Sequence, residues 1–178
     1  MNRKRILLSL AALVTVCVTL LGIVALLNRH PQVVGLNQEI QYDDFAFAAI
    51  GARRAATFGD AAAAPRAQGV YTVVTMKVVN HALRVDFTFD KSTVILIDER
   101  GNEYHWSADA QRAFDAARTA SERCAEPIAA GASCVTEVVF DVPAEARITQ
   151  LRISGGGAVG DVLDTIFYGR KRIALPPQ

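Results

Sequence analysis

The chain has 178 residues, 51% hydrophobic and 21% charged, with a formal net charge of +1. Four of its 19 basic residues and none of its 18 acidic ones lie in the first thirty, which leaves Pro31–Gln178 with 15 against 18 and a net charge of −3. That balance lacks the concentrated basic face that nucleic acid demands, so no nucleic-acid partner is expected, and about 148 residues suffice for one domain with its own core.

Ile6–Leu27 is a 22-residue run without a charge, and Arg3-Lys4-Arg5 stands directly before it. As a helix it reaches about 33 Å, against about 30 Å of bilayer hydrocarbon, and a single segment in lipid satisfies its own backbone only as a helix. The basic excess on the amino side predicts a cytoplasmic stub over residues 1–5 and export of everything after the run. The competing reading is a cleaved secretory signal, whose apolar region is about 7–15 residues and ends in a small-residue cleavage site. This run leaves instead through Ala25-Leu26-Leu27-Asn28-Arg29. A single-pass anchor over 6–27 is therefore expected in the cell membrane, with a stalk over 28–37 and an extracytoplasmic domain over 38–178. Cys17 within the span reads as a small apolar residue.

Ile40–Ala49 carries Phe45, Phe47 and Ala49 at alternate positions and predicts a first strand. Gly59–Gly69 reads as a surface loop, with room for a helical turn over Ala61–Ala64 that Pro65 would end. In Val70–Val79 one face is Val70, Thr72, Val74, Met76 and Val78, and the other is Tyr71, Val73, Thr75, Lys77 and Val79. That pattern predicts a strand with one well-buried face and a second face partly covered. Val85, Phe87 and Phe89 alternate with polar residues and predict a half-buried strand. Val94–Ile97 and Glu103–Trp106 flank Asp98-Glu99-Arg100-Gly101-Asn102 and predict a hairpin.

Ser107–Arg123 changes period: Ala110, Ala113, Phe114 and Ala117 recur at helical spacing around one large side chain. Cys124 and Cys134 are the only cysteines beyond the apolar run, and Pro127 and Gly131 between them mark a reversal. In an exported domain such a pair reads as a disulfide, worth about 2–3 kcal/mol in the chain-entropy model. A zinc site using these thiolates with His81 or His105 would lack the tight pair spacing of such sites. Cys134–Val142 and Ile148–Ile153 predict further strands, Gly155–Gly157 a connection, and Val162–Leu175 a last β stretch. Seven or so short strands without alternating helices predict an antiparallel β-sandwich with one helical insertion.

Several motifs invite chemistry and do not sustain it. Gly155, Gly157 and Gly160 satisfy G-x-G-x-x-G, but the acidic residue expected about 20 positions later falls beyond Gln178, and Val162–Tyr168 reads as β. His30, His81 and His105 stand near no recognisable nucleophile, so no catalytic residue is assigned. Asp43-Asp44, Asp86 and Asp90 lack the compact calcium-loop pattern, and no metal or cofactor is implied. Arg170-Lys171-Arg172 is either an anion or partner contact or the charged guard of an edge strand.

YTVVTMKVVN, VILIDERGNEY and CVTEVVFDVP together resemble the immunoglobulin-like domain family of unknown function on bacterial envelope lipoproteins and anchored proteins, similar in fold to the immunoprotective extracellular antigen type. The matching elements are the strand ending at Asn80, the Leu96-Ile97-Asp98…Gly101…Tyr104 hairpin and the Phe140-Asp141-Val142-Pro143 strand end, within about Gln38 to Ile153. The resemblance implies an immunoglobulin-like sandwich in the periplasm or outside the cell, with a non-catalytic role in recognition or assembly. The expected partners are the membrane, through the anchor, and another envelope protein. Candidate contacts are Tyr104, His105, Trp106 and Phe114, with core burial the ordinary alternative for Trp106, together with Arg170, Lys171 and Arg172. The alternative function is a ligand- or metal-sensing accessory domain of an envelope transport or stress system.

Overall fold

The computed structural model describes residues 3–27, 30–58, 67–118, 124, 126–155 and 158–176. The expected turn over Ala61–Ala64 and the end of the Ser107–Arg123 segment lie outside them. A first helix, α1, runs from Arg3 to Leu27, and its described side chains, 12–25, are exposed. Among the residues described in full, no helix is long and apolar enough to cross a membrane.

Two sheets face each other across one core. The first holds β1 (Gln32–Val34), β5 (Val94–Asp98), β6 (Glu103–His105), β8 (Ile148–Ile153) and β9 (Lys171–Ala174), in the order β1-β9-β8-β5-β6. The second holds β2 (Ile40–Tyr42), β3 (Phe45–Ala55), β4 (Val70–Asn80) and β7 (Ser133–Val142), in the order β2-β3-β4-β7. The β-sandwich expected from the strand pattern is present. The pairings are antiparallel except β1 with β9, which run parallel.

The period-2 pattern accounts for the centre of the second sheet. Val74, Met76 and Val78 of β4 enter the main core with Val138, Phe140 and Val142 of β7, opposite Val94, Leu96, Ile148 and Leu151 of the first sheet. The other face of β4 sends Tyr71 and Val73 into a smaller core with Phe58, Val139, Ala110 and Phe114. The helix covering that face is α2 (Ala108–Ala116), which begins where the Ser107 side chain accepts a hydrogen bond from the Ala110 N–H. Gln111 fixes it to the sheet: its Oε1 accepts from the Val139 N–H at 2.9 Å, and its Nε2 donates to the Glu137 carbonyl at 3.1 Å.

Four expectations change. Ile40–Ala49 is a hairpin rather than one strand, because Asp43 (φ 52°) turns the chain and β3 continues through the alanine-rich residues to Ala55. Val85–Phe89 is not a strand: only Phe87 bridges, to Ile128, and Val85 is exposed. The Ile128 loop, closed by the Cys124–Cys134 disulfide with Cα atoms 5.5 Å apart, offers a partner at that one position. Residues 32–34, expected as stalk, form β1, since β9 presents a free edge beside them. Finally, Ala158–Tyr168 is helix α3, not strand. Its Asp161 and Thr165 lie one turn apart, with the Thr165 hydroxyl donating to the Asp161 carbonyl at 2.8 Å.

Because Gln111 satisfies two backbone groups of β7, Gln111→Ala removes the partner of the buried Val139 N–H and of the part-buried Glu137 carbonyl. Its expected cost is about 1–3 kcal/mol of unfolding free energy, read by urea denaturation.

Candidate binding site

The chain beneath α3 brings together parts of both sheets. Arg152 on β8 donates through Nε and Nη2 to the two Glu103 carboxylate oxygens, at 3.0 and 3.1 Å, and through Nη1 to Asp161 at 3.3 Å. Asp161 also accepts from the Ser154 hydroxyl and the Gly155 N–H, each at 2.8 Å. These bonds pin the first turn of α3 onto the end of β8. Gly155 is required there: a Cβ on it would stand 2.5 Å from the Gly160 carbonyl carbon and 2.6 Å from an Asp164 oxygen.

Two hollows open around this junction and share Tyr42, Ile153 and Asp164. The charged one, about 130 Å³, is lined by Glu103, Arg152, Asp161 and the 170–172 segment. The apolar one, about 310 Å³, is walled by Phe45, Phe47, Phe87 and Phe89. Phe45 stacks on Phe87 with centroids 3.9 Å apart, and Phe47 tilts against Phe89 at 5.6 Å. Aromatic walls with a few polar groups at the rim are the composition of a ligand or side-chain pocket.

The electrostatics separate the two aspartates of α3. Burial opposes ionisation of Asp161, but the Ser154 and Gly155 hydrogen bonds and the Arg152 charge outweigh it and hold its carboxyl below the usual range. Asp164 is pushed up by burial and then by the charge of Asp161, and among the described residues it has no hydrogen-bond or ion-pair partner. Tyr42 is pushed up to about 12, first by burial and then by Asp164. Glu103 is held low, foremost by its hydrogen bond from Arg152.

This geometry revises the glycine motif. A strand and a helix do flank it, as a dinucleotide site requires, although Gly157 itself lies outside the described residues. However, β9 returns antiparallel to β8, and Asp161 already occupies the Gly155 N–H that a phosphate would take.

The expected contact residues do not form one exposed patch. Tyr104 donates to Asp98 at 3.0 Å and packs against the main core, as does Trp106, which bridges Phe140. His105 is exposed on β6, whereas Phe114 is buried in the smaller core, with the Arg53 and Arg118 guanidinium groups 5.7 and 5.3 Å from its ring centre. The basic cluster guards no edge, since β9 lies between β1 and β8. Lys171 donates to the Gln41 carbonyl at 2.6 Å and stands 5.3 Å from the Tyr42 ring centre. Arg172 donates to the Gln150 side chain at 3.0 Å, and Arg170 is exposed. Among the described residues no group of three His, Cys, Asp or Glu side chains could hold a metal ion.

Sequence reasoning missed Arg152, Asp161, Asp164 and the convergence of the four phenylalanines. The available signal was the i, i+3, i+4 spacing of Asp161, Asp164 and Thr165, which the β-forming residues between them obscured.

Fold and site thus define a two-sheet β-sandwich with an aromatic pocket capped by a helix. The chain belongs to the family described as a domain of unknown function, DUF4352, whose model matches residues 34–161. Asp164 and β9 lie past the end of that match. Comparison with curated proteins gives no match. Among solved structures, a conserved hypothetical protein from Bacillus anthracis is similar at 15% identity, over 67% of this chain and 88% of its own, with a TM-score of 0.53. An uncharacterized β-sandwich protein from Clostridium difficile 630 is similar at 10% identity, over 84% of this chain and 97% of its own, with a TM-score of 0.50. MPT63, a secreted protein from Mycobacterium tuberculosis, aligns at 14% identity over 83% of this chain and 99% of its own, with a TM-score of 0.49, too loose to define a shared fold. The first two likenesses agree with the sandwich, and no catalytic activity is named for either of them or for the family.

A carboxyl held low in the folded state stabilises it above the ordinary carboxylate value of about 4 and loses that contribution as pH falls. A carboxyl pushed up opposes folding at neutral pH, and acid relieves it. Asp161→Asn is therefore expected to lower, and Asp164→Asn to raise, the denaturation midpoint at neutral pH. The Asp161 difference should shrink as pH falls below about 4, the ordinary carboxylate value, whereas the Asp164 difference should fade as pH approaches that value from above, in denaturant titrations across pH.

Proposed function

We propose that this chain is a non-catalytic recognition module of the bacterial cell envelope, an immunoglobulin-like sandwich tethered by α1 to the membrane and held outside the cytoplasm. The observation that carries the binding role is the hollow of about 310 Å³ walled by four phenylalanines and lined also by Asp164, which has no hydrogen-bond or ion-pair partner among the described residues. That combination suits an apolar side chain carried by a segment with a neighbouring cation, as an envelope protein partner would present. Two features support the location. The uncharged run Ile6–Leu27 lies within a 25-residue helix and follows Arg3-Lys4-Arg5. The Cys124–Cys134 disulfide suits an oxidising compartment. Tethering raises the local concentration of the domain at the membrane, so a weak contact suffices.

The same hollow has a volume near the lower end of small-molecule sites, about 300 Å³, which favours ligand sensing as the second reading.

A photoreactive residue placed at Thr88, on the exposed rim of the hollow, is expected to give one discrete protein adduct in intact cells. The adduct should disappear when Phe87→Ala opens the wall, and a probe at Glu145 should not give it. An adduct pattern indifferent to Phe87 and shared with Glu145 overturns the recognition site. Protease added outside spheroplasts is expected to digest the sandwich, and protection until lysis would overturn the location.

A further inference from the structure

In an ordinary surface helix the apolar stripe faces the core and the charges face water. In α3 the polarity is reversed. Asp161, Asp164 and Thr165 turn toward the sandwich, where Arg152, Ser154 and Gly155 hold Asp161. Val159, Val162, Leu163, Ile166 and Phe167 face outward, exposed by 75, 39, 47, 40 and 72%. At about 100° per residue these five fall within an arc of about 140°, one continuous apolar face. Nothing in the sandwich needs this face, and its polar underside fixes it outward.

The position of α3 says what meets that face. β1 runs parallel to β9 in the register Gln32↔Lys171, and the Gln32 N–H donates to the Arg170 carbonyl at 2.8 Å. The carboxyl end of α3 and the chain leaving α1 are therefore at the same end of the first sheet. From Leu27 to Gln32 is five residues, a reach of at most about 18 Å. In space α1 also approaches α3, and its own Leu20, Leu21 and Val24 are exposed apolar residues in the last two turns.

We propose that α3 lies flat in the membrane interface beside the point where α1 leaves the bilayer, with its apolar face in the lipid. This rests on the reading of α1 as a membrane anchor and deepens it. The sandwich then does not swing on a loose stalk. Two contacts, one spanning and one interfacial, set its orientation, and the aromatic hollow, which shares Asp164 with α3, takes a fixed attitude to the membrane. Arg170, exposed directly after α3, meets lipid phosphate. A second copy of the chain is the rival occupant. It is disfavoured because the anchor already brings the lipid surface to this face, whatever the protein concentration.

The test uses the full chain in vesicles of phosphatidylethanolamine and phosphatidylglycerol. An environment-sensitive NBD fluorophore is attached singly at Val159→Cys, Phe167→Cys or Leu83→Cys in a Cys17→Ser background, and at Cys17 in the native chain. Leu83 is the control, 92% exposed outside α3. Labels at positions 159 and 167 should shift to the blue and be quenched several-fold more by spin-labelled lipid of shallow depth than the label at position 83. If they behave like position 83 while Cys17 is quenched, the inference fails and the anchor stands. If Cys17 is also unquenched, the anchor fails and takes the inference with it. A blue shift without lipid quenching, accompanied by crosslinking between copies, assigns the face to a second copy and also overturns the proposal. An unchanged melting temperature in each variant confirms that the label reports on a folded domain.

Discussion

Tyr71 to Val74, Met76 and Val78 of β4 have almost no surface of their own in water, and the remainder of the sandwich is arranged around that fact. A strand buried on both faces needs cover on both, and here the two covers differ. The first sheet meets Val74, Met76 and Val78, whereas α2 and Phe58 meet Tyr71 and Val73. Apolar burial stabilises by about 25 cal/mol per Å², so this strand draws folding energy from both of its faces. β3 and β7 flank it along ten paired positions each, so the second sheet is continuous where the two cores are back to back.

How much of this was legible follows from which forces leave a periodic trace. Val70–Val79 and Cys134–Val142 were readable because alternate burial writes a period of two, and the helical segment after Ser107 because Ala110 and Phe114 recur at a turn's spacing. α3 was misread for a physical reason. Val162, Ile166, Phe167 and Tyr168 are β-forming residues, and helix polarity is judged on the assumption that apolar residues point inward. Val85–Phe89 shows the reverse error, alternation without a partner strand long enough to pair. β1 was invisible because three residues write no period, and their strand depends on a partner about 140 positions away.

The site was less legible than the fold because it is assembled from separate elements. Arg152 comes from β8, Glu103 from β6 and Asp161 from α3. No local spacing links them. Their ion pairs close the charged hollow on itself, whereas the aromatic hollow stays open. Charge satisfied internally serves to place α3, and the open aromatic shape is what the proposed binding role uses. That division explains why the aspartate with partners is the depressed one and Asp164, lining both hollows without one among the described residues, is raised.

The parallel pairing of β1 with β9 ties the first strand of the sandwich to its last. A ribosome makes Gln32–Val34 about 140 residues before Lys171–Ala174, so the first sheet stays unsealed until β9 has been made. Hairpins such as β2–β3 can form while the chain lengthens, because their residues are neighbours, but β1 waits for β9. Any truncation that removes the final eight residues deletes β9 and leaves β8 with a bare edge, open to adhesion by other chains. Synthesis of β9 is thus the event that converts a half-built sandwich into a closed one.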